Sequence, residues 1–164
     1  KRRRLKQLNN PIHNGVIFMW YITHNTKLDF ETMAIPFEGY DLSQYYGFVY
    51  VIIEKSTKKK YIGKKLFWNS KILPVTKTRK RRQKTLVESD WKDYYGSSKE
   101  VQALVEQNGA DNYKRIILRL CKTKGECSYY EAKYQFQYDV LLTDEFYNEF
   151  IGCKIHSKHL KGLK

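Results

Sequence analysis

The sequence predicts a small α/β (α+β) domain, with a three-stranded antiparallel sheet flanked by helices and preceded by an N-terminal extension. Residues 47–54 are a run of aromatic and β-branched residues, which is typical of a strand buried on both faces. Residues 59–66 and 113–121 alternate between apolar and polar side chains, as half-buried strands do. Helix signals follow the second and third strands. The predicted order is therefore strand, strand, helix, strand, helix.

The first two strands form a hairpin, because residues 55–58 hold no apolar anchor and are typical of a turn. If this loop has two or four residues, paired positions carry one odd and one even number, and partners share a face. Tyr50 and Tyr61 then lie on one face, and Gly63 and Lys65 share it. Two phenols and an ammonium, with a glycine that lets a ligand approach the backbone, predict a surface for anions. A three-residue loop would break this arrangement.

Capping signals define the two helices. Ser97 and Glu100 form a capping box, and apolar residues recur at helical spacing until Gly109 closes the first helix. Thr123 and Glu126 form a second capping box, which opens a helix that runs to about residue 142.

Two further local predictions concern the segments beside the first helix. Ser89 is expected to cap a short helix that carries Trp91, Lys92 and Tyr95. The third strand is expected to turn its apolar side chains toward the core and its arginines to the other side. The apolar set is Ile116, Leu118 and Leu120, and the arginines are Arg115 and Arg119.

The chain has 164 residues, which is enough for one well-buried domain. A Pro/Gly-containing break near residue 36 separates an N-terminal extension, residues 1–42, from the main domain, residues 43–152. Pro74 and its basic neighbours predict an irregular insertion at 69–88. Residues 153–164 form a basic C-terminal tail.

The net charge of +14 is concentrated in one window. Residues 55–84 contain thirteen lysines and arginines and no Asp or Glu. A charge run is usually a solvated surface, but Tyr61, Phe67 and Trp68 are interleaved here, and cations beside aromatic faces suit phosphates and bases. The window therefore predicts a nucleic-acid-binding surface. Its densest part is either a phosphate clamp or a mobile loop, and it consists of Arg79, Lys80, Arg81 and Arg82.

Cysteine usage argues against a disulfide scaffold and favours a reducing cytoplasm, because the chain has three cysteines and no C-x-x-C pair. The longest apolar stretch, residues 15–23, is too short to cross a bilayer, and we expect no membrane partner. Cys153, His156 and His159 are residue types that bind zinc. Without a clear fourth ligand this is weak evidence, so we expect them to be ordinary surface residues.

Several short motifs occur together in a characteristic order: Phe48-Val49-Tyr50, Tyr61-Ile62-Gly63, Glu88-Ser89-Asp90-Trp91, Tyr94-Tyr95-Gly96-Ser97-Ser98, Glu131 and Asn148. Over roughly residues 47–148 the chain resembles the GIY-YIG endonuclease family, specifically its phage-encoded, homing-endonuclease-like branch. The resemblance implies a compact module with a three-stranded antiparallel sheet. It also implies hydrolysis of phosphodiester bonds in DNA, most simply double-stranded DNA in the host cytoplasm, with one divalent cation, Mg²⁺ or another such as Mn²⁺.

The resemblance implies a role for each motif residue. Glu131 would supply a hard carboxylate oxygen for magnesium, which would neutralise charge on the phosphate. Tyr50 would take the proton from the attacking water, although a phenol with a pKa near ~10 is a poor base unless cations favour its phenolate. Tyr61 would orient the water or phosphate, and Asn148 would position the site. The cations expected near Tyr50 are Lys60, Lys64 and Lys65.

The chain departs from the family pattern at the catalytic arginine. Lys71 occupies its usual position. Strand parity favours Lys65 as the replacement, the predicted short helix favours Lys92, and charge alone favours Arg82. The family's histidine is absent too, and Tyr95 is the candidate to replace it. DNA contacts are expected from Lys64, Trp68, Arg79, Lys80, Arg81 and Arg82.

Two other classes of function stay open. A nucleic-acid-binding protein could keep this scaffold without cutting, which the displaced arginine makes reasonable. A basic RNA-associated structural protein is the third hypothesis. The recognition sequence, single- or double-strand cutting, the oligomeric state and the biological role among homing, restriction and degradation of competing DNA stay open as well.

Overall fold

The fold is centred on a five-stranded mixed sheet. The structure is a computed structural model that describes residues 19–25 and 30–163. Within the predicted extension, residues 1–18 and 26–29 lie outside the described residues, as does Lys164. In chain order the elements are β1 Trp20–Ile22, β2 Ile35–Pro36, β3 Gly47–Glu54, β4 Lys60–Leu66, β5 Trp68–Leu73, β6 Gln83–Glu88, α1 Lys99–Asn108, β7 Tyr113–Cys121 and α2 Lys124–Gln137.

The strand order of the main sheet is β2-β1-β7-β3-β4. The antiparallel trio of β7, β3 and β4 is the predicted sheet, with its centre strand β3 buried at every position. The expectation of only three strands was wrong, since β1 pairs in parallel with β7 and β2 pairs with β1. These strands are only three and two residues long, which is too short for a recognisable pattern in the sequence. They cover the edge of β7, which would otherwise leave its backbone groups unpaired.

Two hydrophobic layers cover the sheet. One face packs against α2 and carries Val49, Val51, Ile62 and Ile116. The other face is rich in aromatic rings from Trp20, Phe48, Tyr50, Phe67 and Trp91, with α1 alongside. The paired tyrosines lie on this second face.

Strand β7 differs from the predicted alternation. Its register against β3 shifts between Val49 and Tyr50, so a bulge reverses the side-chain pattern along the strand. Leu120 therefore packs with the aromatic layer, whereas Leu118 packs with the α2 layer. Arg115 is fully buried rather than on a solvated side.

The basic insertion is regular. We expected irregular chain at 69–88, but β5 and β6 pair antiparallel from Trp68↔Glu88 to Leu73↔Gln83 and form a separate two-stranded sheet. Pro74 does not interrupt a strand, because it falls in the connection after β5, where no ladder hydrogen bond is needed.

Three helix boundaries also need correction. Ser98, not Ser97, caps α1 by accepting from the Val101 N–H. Ser89 caps nothing, since its hydroxyl donates to the Leu66 carbonyl, and the following helix is a single 3-10 turn, Trp91–Asp93. Helix α2 ends at Gln137 rather than near residue 142, because Asp139 adopts a left-handed conformation (φ 48°) that closes the helix.

No helix within residues 19–25 and 30–163 is long and apolar enough to cross a membrane.

Candidate active site

The hairpin of β3 and β4 has the register that the four-residue loop predicted. Tyr50 pairs with Gly63, Ile52 with Tyr61, and Phe48 with Lys65. Paired residues share a face, so Tyr50, Tyr61 and Lys65 lie on the aromatic side of the sheet. The parity argument from the sequence is confirmed.

Gly63 makes room for the Tyr50 ring. A methyl group built on Gly63 would lie 2.5 Å from Tyr50 Oη and 3.0 Å from the Tyr61 ring, closer than atoms approach without displacement. The sequence suggested that this glycine opens the backbone to a ligand. The space is instead filled by the two tyrosine rings, whose centroids are 6.3 Å apart.

Tyr50 is buried and held as a neutral phenol. It is only 1% exposed, packs edge-to-face on Tyr94 and Trp20, and hydrogen-bonds with the Tyr94 hydroxyl. Burial raises the pKa of Tyr50 well above its ordinary value, and the nearby phenols Tyr94 and Tyr61 raise it further. This environment suits a hydrogen-bond donor more than a base that ionises near neutral pH.

Tyr61 stands between Tyr50 and solvent. Its hydroxyl lies 2.9 Å from Ser97 Oγ, just before the N-terminus of α1. Burial raises the pKa of Tyr61, although the hydrogen bond with Ser97 acts in the opposite direction. Tyr61 is therefore also a neutral phenol at physiological pH, and it is the more accessible of the two.

Glu131 reaches the same region from the other face of the sheet. It lies on α2, and its Oε2 is 2.5 Å from Lys64 Nζ. Lys64 and Tyr61 alternate to opposite faces of β4, but β4 is the edge strand, so groups from both faces meet beyond it. A polar cleft of about 550 Å³ is the result, with Tyr61, Lys64, Ser97, Glu131 and Asn148 in its wall.

Asn148 lies in the cleft wall and binds the backbone of β4. Its Oδ1 accepts from the Ile62 N–H at 2.9 Å, and its Nδ2 donates to the Ile62 carbonyl at 2.8 Å. Gln135 of α2 donates to the same carbonyl at 3.1 Å. Residues 145–147 pair with Lys60 at the start of β4, and the buried Asn148 amide extends this pairing to Ile62. This fixes β4 between Tyr61 and Lys64.

The candidate arginine replacements do not enter the cleft. Lys65 Nζ binds Asp90 at 2.7 Å and lies 3.7 Å from the Tyr94 ring centroid, while Lys92 pairs with Glu88 at 3.0 Å. Lys71 and Arg82 are exposed on the β5–β6 hairpin. Among the described residues that line the cleft, the lysines are Lys64 and Lys99, and none is an arginine.

Sequence reasoning missed the role of Arg115. This fully buried side chain donates from Nη1 to the carbonyls of Lys92 and Tyr94, at 2.8 and 3.2 Å, and its guanidinium stacks on Trp20 and on Tyr95. Tyr95 is therefore a packing partner of Arg115 and does not line the cleft. Arg115 fixes the turn that presents Tyr94 to Tyr50. An arginine among apolar strand positions was the available signal.

Two adjacent tyrosines, a glutamate on a helix and an asparagine bound to the edge strand occur in an order that has a counterpart among known families. The family model described as "Putative endonuclease segE, GIY-YIG domain" matches residues 30–151. The chain belongs to the GIY-YIG endonuclease family. No match was found among curated proteins or among solved structures. The matched region contains β2 to β7, both helices and every wall of the cleft except Gly152, so the cleft lies in a nuclease domain.

The cleft of this GIY-YIG domain fits a small hard cation in its donor chemistry. Glu131 offers a carboxylate whose side chain is 15% exposed toward polar open space, and magnesium needs few protein ligands because it keeps most of its waters. Lys64 engages one carboxylate oxygen, which leaves the other available. Within the described residues there is no group of three or more His, Cys, Asp or Glu that could hold a metal ion, so the zinc reading of Cys153, His156 and His159 has no support.

The predicted DNA-binding residues of this GIY-YIG protein fall in two places. Lys64 lies in the cleft. Trp68 is half-buried at the base of the β5–β6 hairpin, where its Nε1 donates to the Tyr45 carbonyl at 3.0 Å. The four-residue basic cluster lies in the connection between the two strands, where Arg79 is held by the Pro74 carbonyl and the other members, Lys80, Arg81 and Arg82, are exposed.

Proposed function

We propose that this protein is a divalent-cation-dependent DNA endonuclease of the phage-encoded, homing-like branch. It would hydrolyse phosphodiester bonds with Glu131 as the metal ligand. The observation that carries the proposal is the convergence of Tyr61, Glu131 and Asn148 on one polar cleft from three separate elements. Membership of the GIY-YIG family supplies the reaction class.

The charge of the basic hairpin supports a polyanionic substrate. The cleft wall itself is mixed, with Lys64 and Lys99 beside Glu100, Glu131 and Glu149, whereas the hairpin has seven lysines and arginines between residues 69 and 88. Cations of this density attract a polyanion such as DNA through its phosphates. Magnesium or manganese, when bound at Glu131, would neutralise charge that develops on the phosphate and the leaving oxygen.

The tyrosines would act as donors. Because burial keeps both phenols protonated, the Tyr61 hydroxyl can donate a hydrogen bond to a phosphate oxygen or to the attacking water, whereas the Tyr50 hydroxyl is buried against Tyr94. Tyr61, at the cleft wall, is the residue that we propose contacts the substrate. Tyr50 would hold the Tyr61 ring and the Tyr94 turn in place from behind. Lys64 would move from Glu131 to the phosphate when a cation takes its place.

The test is cleavage of supercoiled plasmid with magnesium and with excess chelator. We expect nicking or linearisation with magnesium alone, and a loss of about 1,000-fold in rate for Glu131→Gln, which removes a metal ligand worth several kcal/mol in the transition state. Tyr61→Phe should lower the rate by about 100-fold. Glu145→Gln is the matched control, because Glu145 is an exposed carboxylate that also pairs with a lysine of β4. Equal activity of Glu131→Gln and wild type would contradict the proposal.

A non-catalytic DNA-binding protein is the second candidate, and one observation favours it. No arginine occurs among the described residues that line the cleft, although the family places a catalytic arginine near this site. Salt-dependent plasmid binding without cleavage in magnesium or manganese would select this candidate.

A further inference from the structure

The β5–β6 hairpin is a protruding ribbon with a rigid base. Phe67 is fully buried, and its N–H donates to the Tyr46 carbonyl at 3.0 Å. At the same base, the backbone N–H of Ser89 donates to the Phe67 carbonyl at 2.8 Å. Beyond this base the strands form their own two-stranded sheet, and nearly every side chain is exposed or half-buried. The ribbon therefore adds little to the core of the domain.

Alternation gives the ribbon two distinct faces. Trp68 and Glu88 are paired at the base and both turn toward the body, where Trp68 binds Tyr45 and Glu88 accepts from the Trp91 indole at 3.0 Å. The inner face continues with Ser70, Ile72, Lys84 and Leu86, and the outer face carries the other set. The outer face consists of Asn69, Lys71, Leu73, Gln83, Thr85 and Val87.

The outer face has the chemistry of base recognition. It presents two amides, an ammonium and a hydroxyl, and within the part of the chain that the structure describes none of these four side chains has a hydrogen-bond partner. Amides of Asn and Gln pair with adenine, lysine donates to guanine, and the threonine methyl group contacts thymine. The tip between the strands carries the cationic cluster, whose charge suits the flanking phosphates.

The dimensions fit one groove of duplex DNA. Each strand has six residues, which gives a ribbon about 20 Å long, and the strands lie about 4.8 Å apart. The major groove is about 12 Å wide and admits a two-stranded ribbon, whereas the minor groove is about half as wide. An exposed basic hairpin is often no more than a solvated surface. Here the charge, the width and the polar face together select a single occupant.

We propose that the β5–β6 ribbon inserts into the major groove of duplex DNA and selects the target sequence through its outer face. This inference rests on the proposed function for the identity of the polymer. It adds that the site is chosen by the ribbon, outside the cleft that would cut. The tip residues would contact phosphates on either side, and Lys71, Gln83 and Thr85 would reach the base edges.

The experiment is selection of bound duplexes from a randomised pool, carried out in chelator so that cleavage plays no part. Wild type should enrich a defined sequence. Gln83→Ala and Lys71→Ala should each relax one position and reduce discrimination against the wrong base by about tenfold. Lys84→Ala is the matched control, since it removes the same charge from the inner face. It should weaken binding to all duplexes alike and leave the selected sequence unchanged.

Three results would overturn the inference: no enriched sequence, identical effects of Lys71→Ala and Lys84→Ala, or equal competition by single-stranded DNA or RNA. Replacing residues 70–86 by Asn-Gly, a two-residue turn that suits a hairpin, should abolish sequence selection while leaving thermal unfolding nearly unchanged. Selection without plasmid cleavage would contradict the proposed endonuclease and leave the ribbon inference standing. Cleavage without selection would do the reverse.

Discussion

The Asn148 side chain binds the backbone at the edge of the sheet. It makes with Ile62 the two hydrogen bonds that a neighbouring strand would make, and it does so at a buried edge where water cannot substitute. Its effect on the cleft is indirect, because it holds the strand that carries Tyr61 and Lys64.

Asn148→Leu should destabilise the protein by about 2–3 kcal/mol, because it leaves the Ile62 N–H buried without a partner and weakens the bonding of its carbonyl. The free energy of unfolding in urea measures this. Asn69→Leu on the exposed ribbon is the control and should change stability by less than about 0.5 kcal/mol. A similar loss in both variants would contradict this role of Asn148.

Glu54 is a second residue with a structural task. This buried carboxylate accepts from Tyr147 Oη at 2.7 Å and Tyr113 Oη at 3.1 Å, and also from the Thr57 hydroxyl. Burial by itself would raise the pKa of Glu54, but these hydrogen bonds together outweigh it and lower the pKa below its ordinary value. Because Tyr147 directly precedes Asn148, its hydrogen bond with Glu54 also helps to position Asn148.

The pH dependence of stability follows from that shift. A carboxyl whose pKa is lower in the folded state contributes stability above its unfolded pKa of about 4.3, and that stability is lost as the pH falls through the folded value. Glu54→Gln should therefore flatten the decline in unfolding free energy between about pH 4.5 and pH 2. Urea unfolding at pH 7, 4 and 2.5 tests this. Glu106→Gln, an exposed change on α1, should leave the acid decline unaltered.

Two adjacent serines at the start of α1 have different contacts. Ser98 caps the helix, whereas Ser97 contacts Tyr61 in the cleft. The predicted capping box assigned the cap to Ser97, because Ser97 and Glu100 have the required spacing and adjacent serines differ only in backbone position. Because Ser98 caps the helix, the Ser97 hydroxyl is able to hydrogen-bond with Tyr61 in the cleft.

The two serines should separate stability from activity. Ser98→Ala should cost about 1 kcal/mol of stability through the lost cap. Ser97→Ala should cost less than about 0.5 kcal/mol but lower plasmid cleavage several-fold, because the Tyr61 hydroxyl loses its fixed partner. Thermal unfolding and cleavage rates of both variants make the comparison. A larger loss of stability in Ser97→Ala than in Ser98→Ala would support Ser97 as the helix cap instead.

In the domain as a whole, the described part of the N-terminal segment, which begins at residue 19, is continuous with the fold. Trp20 packs on Phe48 and Tyr50 at ring distances of 5.0 and 5.6 Å, donates to the Trp91 carbonyl at 3.0 Å, and supports the Arg115 guanidinium. The predicted division at residue 42 would remove this tryptophan together with β1 and β2.

Removal of residues 1–42 should therefore leave a chain that does not fold cooperatively, because β7 loses β1, one of its two neighbouring strands, and Arg115 loses its contact with Trp20. Trp20→Ala alone should cost about 3–5 kcal/mol. Circular dichroism tests whether the truncated chain folds, and urea unfolding measures the stability of Trp20→Ala. Trp68→Ala, at the half-exposed base of the ribbon, is the control and should cost clearly less. Normal folding of residues 43–164 would support the predicted division instead.

The antiparallel trio and both helices were predictable because each carries a local signal: an apolar run, alternation or a capping residue. The register of the tyrosine hairpin was predictable from loop length alone. The added strands were not, because two or three residues carry no periodicity and their pairing with β7 is a long-range choice. The bulge in β7 and the left-handed conformation of Asp139 that ends α2 are features of backbone geometry, and no residue type at these positions predicts them.

The chemistry available to this protein could be inferred from the residues alone: two tyrosines on one face of a strand hairpin, a helical glutamate, a basic window and the family to which these motifs belong. Which of these groups lie next to one another depends on how the chain packs in three dimensions. Tyr61 and Glu131 project from opposite sides of the sheet and come together because β4 is its edge, and a strand's place in a sheet is set by packing between distant segments. The same packing buried Tyr50 and tied Lys65 and Lys92 to other partners.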